Sequence, residues 1–387
     1  VRLSCLGRLD CDLQMVEGAG FRFCILPEIL QPRQTHVSSS DQSSNSASAA
    51  SSPASPSTAS LESDVSASSL RIATRESPLA MWQAEHVAAL LSGHGTQVEI
   101  VPMVSSGDID MSPIDGRRSV GVFTKRIQRA LLQDEGDVAV HSMKDLPTEK
   151  HAELVLASCP DREIVTDCLV SPAGLSLDQL RQGAVIGTGS RRRAAQLKRV
   201  RPDLDIQPIR GNVQTRLKKM SDGQYDAIIL AAAGIERLEM HDLPRVELPL
   251  DIMLPAPGQG ALAIEVRRDD QAAFQQVALT SDPASMACTL AERTLLAALH
   301  GGCLAPIAAL GTIETDEASG WSLNLIARVL STDGTQQLEV QGKCEIDLDD
   351  RDPATGSVHQ AAQLGLQLSQ QLIEQGAKEL IHDGRSE

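Results

Sequence analysis

Between Gly187 and Lys219 the sequence holds ten basic residues, at 191, 192, 193, 198, 199, 201, 210, 216, 218 and 219, against two acidic ones at 203 and 205. Cations at that density either coat two solvated helix faces or line a cradle for anions. Their placement gives the second reading its physical content. "GTGSRRR" is a turn of small residues leading from a strand into a helix N-terminus, where free N–H groups and the helix dipole favour negative charge. "RGN" repeats that arrangement at the next strand end. Arginine grips a carboxylate through a two-pronged fork. Neither loop contains GK[ST], so a nucleotide P-loop is not supported, and an oligo-carboxylate fits better than a phosphate.

Two further segments carry reactive side chains. "DVAVHSMKDLP" ends an apolar strand with His141, Ser142, Lys144 and Asp145, and Pro147 stops the ladder. A Ser/His/Asp triad is poorly placed there, because neighbours on a strand point to opposite faces. A single carboxylate, Asp145, facing the cationic turns is the better catalytic candidate; the alternative is a cap or salt-bridge partner. "LHGGCLAP" sets Cys303 after a glycine pair and before Pro306. Cys303 is either a small buried hydrophobe, as most free cysteines are, or a thiol presented on an open loop.

The elements that must position these groups alternate. "LRIAT" precedes a helix "SPLAMWQAEHVAALLSG" with Ser77 as cap and Pro78 in the first turn. "QVEIVPMV", a helix "FTKRIQRALLQDEG" and "DVAVHSM" follow. The theme repeats as "AVIGTGS", helix "RRRAAQLKRV", "DIQPIR", helix "NVQTRLKKMSDG" and "DAIILAAAG". Such alternation indicates α/β layers with largely parallel sheets, whose ligands collect beyond the carboxyl ends of the strands. The last hundred residues differ. A helix "DPASMACTLAERTLLAALH", three β-rich runs and the terminal "VHQAAQLGLQLSQQLIEQGAKEL" predict a small α+β domain, an antiparallel sheet with helices on one face.

Composition excludes several classes. The chain has 35 Lys plus Arg against 51 Asp plus Glu, a formal charge of −16, which argues against broad binding to nucleic acid or anionic membranes. Only seven residues are Phe, Tyr or Trp, too few to interleave a basic cluster with stacking rings. No apolar run reaches the ~18 residues of a membrane span. Eight cysteines, at 5, 11, 24, 159, 168, 288, 303 and 344, form no CxxC, and reduced thiols in a cytosolic protein are the economical reading. Residues 1–68 are rich in Ser, Ala and Pro and are expected to be a disordered extension outside the fold. Asp10, Asp12, Glu17, Glu28 and Asp41 are unlike the acid-poor composition of a transit peptide.

The motifs "LRIATRESPLAMWQA", "VAVHSMKDLPT", "GTGSRRRAAQL", "RGNVQTRL", "YDAIILAAAGIERL", "LPAPGQGALAIE" and "GGCLAPI", in this order and spacing over residues 70–381, resemble the hydroxymethylbilane synthase (porphobilinogen deaminase) family. The resemblance implies a transferase of tetrapyrrole (porphyrin and heme) biosynthesis. Such enzymes join four porphobilinogen molecules head to tail with loss of four ammonia, then release hydroxymethylbilane by hydrolysis. It implies a dipyrromethane cofactor held by a thioether at Cys303, a catalytic Asp145, and cofactor contacts from Lys144, Ser190, Arg192 and Arg193. Substrate contacts are implied at Arg75, Ser77, Gln83, Arg210, Arg216, Arg237 and Gln259, with no metal. The implied fold is α/β: two periplasmic-binding-protein-like (type II) domains around a cleft, 69–162 completed by 258–278 and 163–257, plus a C-terminal α+β domain, 279–387, bearing the cysteine. A cytoplasmic monomer without nucleic-acid or membrane partners is expected. A non-catalytic anion-binding protein on the same scaffold is the alternative. Val120, Arg126, Gly189 and Arg191 depart from the family's usual residues, and Arg117 or Arg118, close by in sequence, is expected to cover the charge missing at Val120.

Overall fold

The computed structural model describes residues 69–104, 124–300, 305–316, 320–350, 352 and 355–383. The expected extension at 1–68, the loop with Arg117, Arg118 and Val120, and Cys303 itself lie outside the described residues.

Two five-stranded sheets share one plan. The first contains β1 (Leu70–Arg75), β2 (Val98–Met103), β3 (Val138–Ser142), β4 (Leu154–Ser158) and β10 (Leu262–Arg267), in the order β2-β1-β3-β10-β4. The second contains β5 (Asp167–Val170), β6 (Val185–Gly187), β7 (Asp205–Gln207), β8 (Ala227–Ala231) and β9 (Arg245–Glu247), in the order β7-β6-β8-β5-β9. The sheets are mixed. β10 runs antiparallel to β3 and β4, and β5 runs antiparallel to β8 and β9. The reversed strands are the crossing points: the chain leaves the first sheet after β4 to enter the second as β5, and returns from β9 as β10. Central strands such as β5 are buried along their whole length, as their unbroken apolar character requires.

Helices follow the strands with the caps their sequences carry. Ser77 accepts from the Ala80 N–H at the start of α1 (Pro78–Gly93), and Pro78 fills the first turn. α2 (Lys125–Leu132) covers the first sheet. In the second unit, Ser190 caps α3 (Arg191–Val200) and Asn212 caps α4 (Val213–Ser221), while α5 (Ala232–Arg237) follows β8 directly. Each such cap contributes about 1 kcal/mol. α6 (Gln271–Ala278) and α7 (Pro283–Ala298, capped by Asp282) follow β10.

The C-terminal sheet, β11 (Ile307–Asp316), β12 (Gly320–Leu330) and β13 (Gln337–Glu345), is antiparallel as expected. Leu323, Leu325, Ala327 and Val329 pack with α7, α8 (Ser357–Glu374) and α9 (Ala377–Asp383). Its second face is covered too: Ala308, Leu310 and Ile326 rest on Leu254 and Val165, which belong to the two connections between the larger sheets.

Glutamate 292 on α7 fastens those connections. Fully buried, it accepts from Arg162 at 2.6 and 3.1 Å, from Gly258 N–H at 2.6 Å and from Gly311 N–H at 2.7 Å. Four donors satisfy the carboxylate, so breaking the Arg162 pair would cost about 3–5 kcal/mol. Glycine is needed nearby: at Gly258 (φ +75°) a Cβ would lie 2.6 Å from Met143, and at Gly260 (φ +85°) 2.3 Å from the Glu163 carbonyl.

Candidate active site

The expected site residues follow the carboxyl ends of β1 and β3 in the first sheet and of β6 and β7 in the second. β1 ends in half-buried Arg75, and the parallel β1–β3 register places it at the same sheet edge as the turn after β3. That turn, Met143–Asp145, is one 3₁₀ turn whose middle and last residues are Lys144 and Asp145. Met143 is fully buried and donates its N–H to the Ala261 carbonyl at 3.0 Å, which leaves the Asp145 side chain outward and exposed.

Below the turn runs a chain of buried polar contacts. The Lys144 Nζ donates to Gln259 Oε1 at 3.3 Å. Gln259, with no exposure, donates to Val165 O at 2.7 Å and to Asp167 Oδ1 at 2.9 Å. Asp167 is equally buried and receives Arg192 at 2.7 Å and Arg193 at 2.6 Å. Burial opposes the charge on Asp167, but Arg193 and Arg192 outweigh it and hold the carboxyl well below the usual range. Arg192 also donates to Leu254 O, and Arg193 donates to Ile229 O at 3.0 Å. Their Nε atoms are buried and have no partner among the described residues.

Positive charge is in excess here. Lys144 is pushed down to about 8, by burial first and then by Arg193. Arg216 is lowered to about 10 by burial and Arg193, with Arg210 adding to the effect and Asp145 opposing it. Arg216 donates from Nε to Gly211 O at 2.8 Å, and its two terminal nitrogens have no hydrogen-bond partner among the described residues. Lys144, Arg193, Arg210 and Arg216 therefore share a field whose nearest anions are Asp145 and Asp167. A ligand carrying carboxylates neutralises such a field.

The remaining expected residues stand around this core. Gln83 is buried and donates to Ser142 Oγ at 2.9 Å, so it touches the strand that carries the turn. Ser77 and Ser190 act as helix caps. Arg237 is set apart: it donates to Gly260 O at 2.6 Å, lies over the Trp82 ring at 5.6 Å, and is lowered to about 10 by burial. Three contributors are not singled out by the sequence, namely Asp167, Glu292 and its neighbour Arg293, whose guanidinium donates to the carbonyls of Met143, Leu146 and Pro147. Gly189 is required sterically, since a Cβ there would lie 2.9 Å from the Ile209 carbonyl. Arg126 pairs with Glu135 at 2.6 Å.

The family model described as porphobilinogen deaminase, dipyromethane cofactor binding domain, matches residues 70–275. That for the porphobilinogen deaminase C-terminal domain matches 286–374. The chain belongs to the porphobilinogen deaminase family. It is similar to the porphobilinogen deaminase of Acidothermus cellulolyticus, 44% identical over 319 residues, covering 81% of this chain and 91% of the relative. Its similarity to the porphobilinogen deaminase of Corynebacterium efficiens is 41% over 313 residues, with 81% and 99% covered. Among solved structures, a periplasmic binding protein of Salmonella typhimurium with high arginine specificity aligns at 14% identity and a TM-score of 0.36, covering 56% of this chain and 93% of that one.

The porphobilinogen deaminase cofactor is an acidic dipyrromethane, and the residues present fit it. Orphaned Nε atoms and a depressed lysine beside arginines are what carboxylates would satisfy. Lys144 gives this fit a pH signature. Below about 8 it is an ammonium; above, it loses its proton and one cation is gone. For an acidic substrate, kcat/KM is expected to fall as the pH rises through about 8. Lys144→Arg, which stays charged, should flatten the fall. A parent profile that stays level on both sides of that value would remove Lys144 from the binding field.

Proposed function

We propose that this chain performs the family reaction, the head-to-tail condensation of porphobilinogen with loss of ammonia, with Asp145 as its catalytic group and the Lys144–Arg216 field as its binding surface. The observation that carries the reading is an exposed carboxylate, without a hydrogen-bond or ion-pair partner among the described residues, set at the edge of a cation cluster. When ammonia leaves the substrate a cation forms. Asp145 stabilises that positive charge and accepts and returns protons at the pyrrole N–H groups. Lys144, Arg210 and Arg216 hold the substrate's acetate and propionate groups, and Ser190 and Arg193 back the same surface. Arg192 and Arg193, tied to Asp167, act from below as fixed charges. Arg75, Ser77, Gln83 and Gln259 complete the walls, and Arg237 closes the side near the connections. Cys303, Lys144, Ser190, Arg192 and Arg193 would hold the cofactor, which would supply a covalent primer for the added pyrrole units.

The same proposal divides the chain into 69–162 with 258–278, 163–257 and 279–387. It also includes a monomer working in the cytoplasm. Cys159, Cys168, Cys288 and Cys344 are free, which supports a reducing compartment. Incubation of the purified protein with porphobilinogen, followed by ammonia release and intact mass, tests the reading. Ammonia should appear with successive pyrrole-sized mass increments on the protein. Binding of porphobilinogen with neither ammonia nor added mass would make the protein an anion binder instead.

A further inference from the structure

We infer that Arg293 of α7 is a positioning residue that fixes the Met143–Asp145 turn and ties it to α7, the helix that precedes Cys303 in sequence. The inference rests on Asp145 being the catalytic group, as proposed above.

The geometry is a clamp. Arg293 is buried, and its Nη1 donates to Met143 O at 3.2 Å and to Leu146 O at 2.9 Å, while Nη2 donates to Pro147 O at 2.8 Å. These carbonyls bracket Asp145 on both sides in sequence. A turn of three residues cannot hold itself: its internal bond, Leu146 N–H to Met143 O, is 3.2 Å long, and its other anchor is the Met143 N–H to Ala261 O bond. The planar guanidinium engages three carbonyls in one rigid group, which a flexible ammonium cannot match. Without the clamp the backbone bearing Asp145 can rotate, and small misplacements of a reacting group are costly.

The fields of Glu265 and Glu292 act on the guanidinium and favour its charge. Glu265 accepts from Gln128 at 2.9 Å and faces His141 at 3.2 Å. Glu292, the preceding residue, fastens Arg162 and Gly258 of the connections. One helical turn thus carries two buried charged side chains, one bracing the connections and the other the catalytic turn. The same helix ends at Ala298, five residues before Cys303 in sequence.

A cavity makes the idea testable by chemical rescue. Its wall includes Arg293, Leu146 and Pro147, and its rim includes the exposed Glu149, Lys150 and His151. In Arg293→Ala, free guanidinium at millimolar concentration can reach the vacated position. The full chain with its cofactor attached is used, and turnover is normalised to cofactor content. Arg293→Ala should lower kcat about 10- to 100-fold with KM within about 3-fold of the parent. Amide exchange of 143–146 should rise more than that of the C-terminal sheet. Guanidinium, but not sodium chloride at equal ionic strength, should restore at least part of kcat. If Arg293→Ala does not fold, Arg293→Lys is measured instead and should show the same kcat loss and local exchange. Overturning results are a kcat close to the parent, unchanged exchange at 143–146, or a loss insensitive to guanidinium that follows global stability. The exchange readout is independent of chemistry at Asp145. An active Asp145→Asn would defeat the catalytic reading while the loosened turn still established the clamp.

Discussion

Asp145→Asn is expected to fold like the parent and to lose about 10²–10⁴-fold in turnover, roughly 3–5 kcal/mol of transition-state stabilisation. The fold should be indifferent because the Asp145 side chain is exposed and makes no hydrogen bond or ion pair with the described residues. Turnover should not be indifferent, because the isosteric amide keeps the shape and removes the charge that opposes a cationic intermediate. Substrate binding should hold or tighten, since an anion is withdrawn from beside Lys144 and Arg216. A second consequence follows from the same charge. Asp145 raises the proton affinity of Lys144, whose value is about 8 with that carboxylate present. In the variant Lys144 should lose its proton at lower pH, so the alkaline fall of kcat/KM should move downward. Turnover within a few-fold of the parent would assign the proton chemistry to another group.

The sequence makes one side of this site readable and conceals the other. Ser77 before Pro78, Ser190 before the arginines and Asn212 after "RG" are local signals, and each caps a helix where its spacing predicts. The antiparallel C-terminal sheet was legible from three β-rich runs. β4, β5, β9 and β10 were not singled out, because short apolar runs acquire strand identity from partners far away. β10 pairs with β3 across more than a hundred residues, and its reversed direction follows from a crossing that no local pattern records. "DIQPIR" gave only three strand residues, since Pro208 cannot donate to a ladder.

Asp167 shows why the buried half was missed. An aspartate at the head of "DCLV" looks like a surface residue at a strand end, yet two inward-facing arginines need a buried anion. The clue was in α3: Arg193 stands four residues before Leu197 on a helix whose buried set also contains Ala195 and Gln196. A cation on an apolar stripe demands a partner. The same logic identifies Glu292, which shares its stripe with Cys288, Leu295 and Leu299, all buried. Sequence periodicity thus reveals that a charged side chain is buried, and only tertiary structure reveals what it meets.

Cys303→Ser should abolish turnover altogether, a larger effect than any charge substitution in the cleft. The serine hydroxyl is far less acidic and less nucleophilic than a thiol at neutral pH, so the thioether to the cofactor should not form. The parent should redden with Ehrlich's aldehyde reagent and carry two extra pyrrole units by intact mass; the variant should do neither. Stability should report the same loss. With no attached carboxylates, the burial and the neighbouring arginines that lower Lys144 to about 8 and Arg216 to about 10 stay uncompensated, and a stabilising partner of the native state is missing. The melting temperature should therefore fall by several degrees, and multivalent carboxylates such as citrate should recover part of it. Citrate should protect the cofactor-loaded parent less, because its field is already partly neutralised. An active, reagent-positive Cys303→Ser protein would place the tether on a different side chain and separate the glycine-flanked thiol from the chemistry.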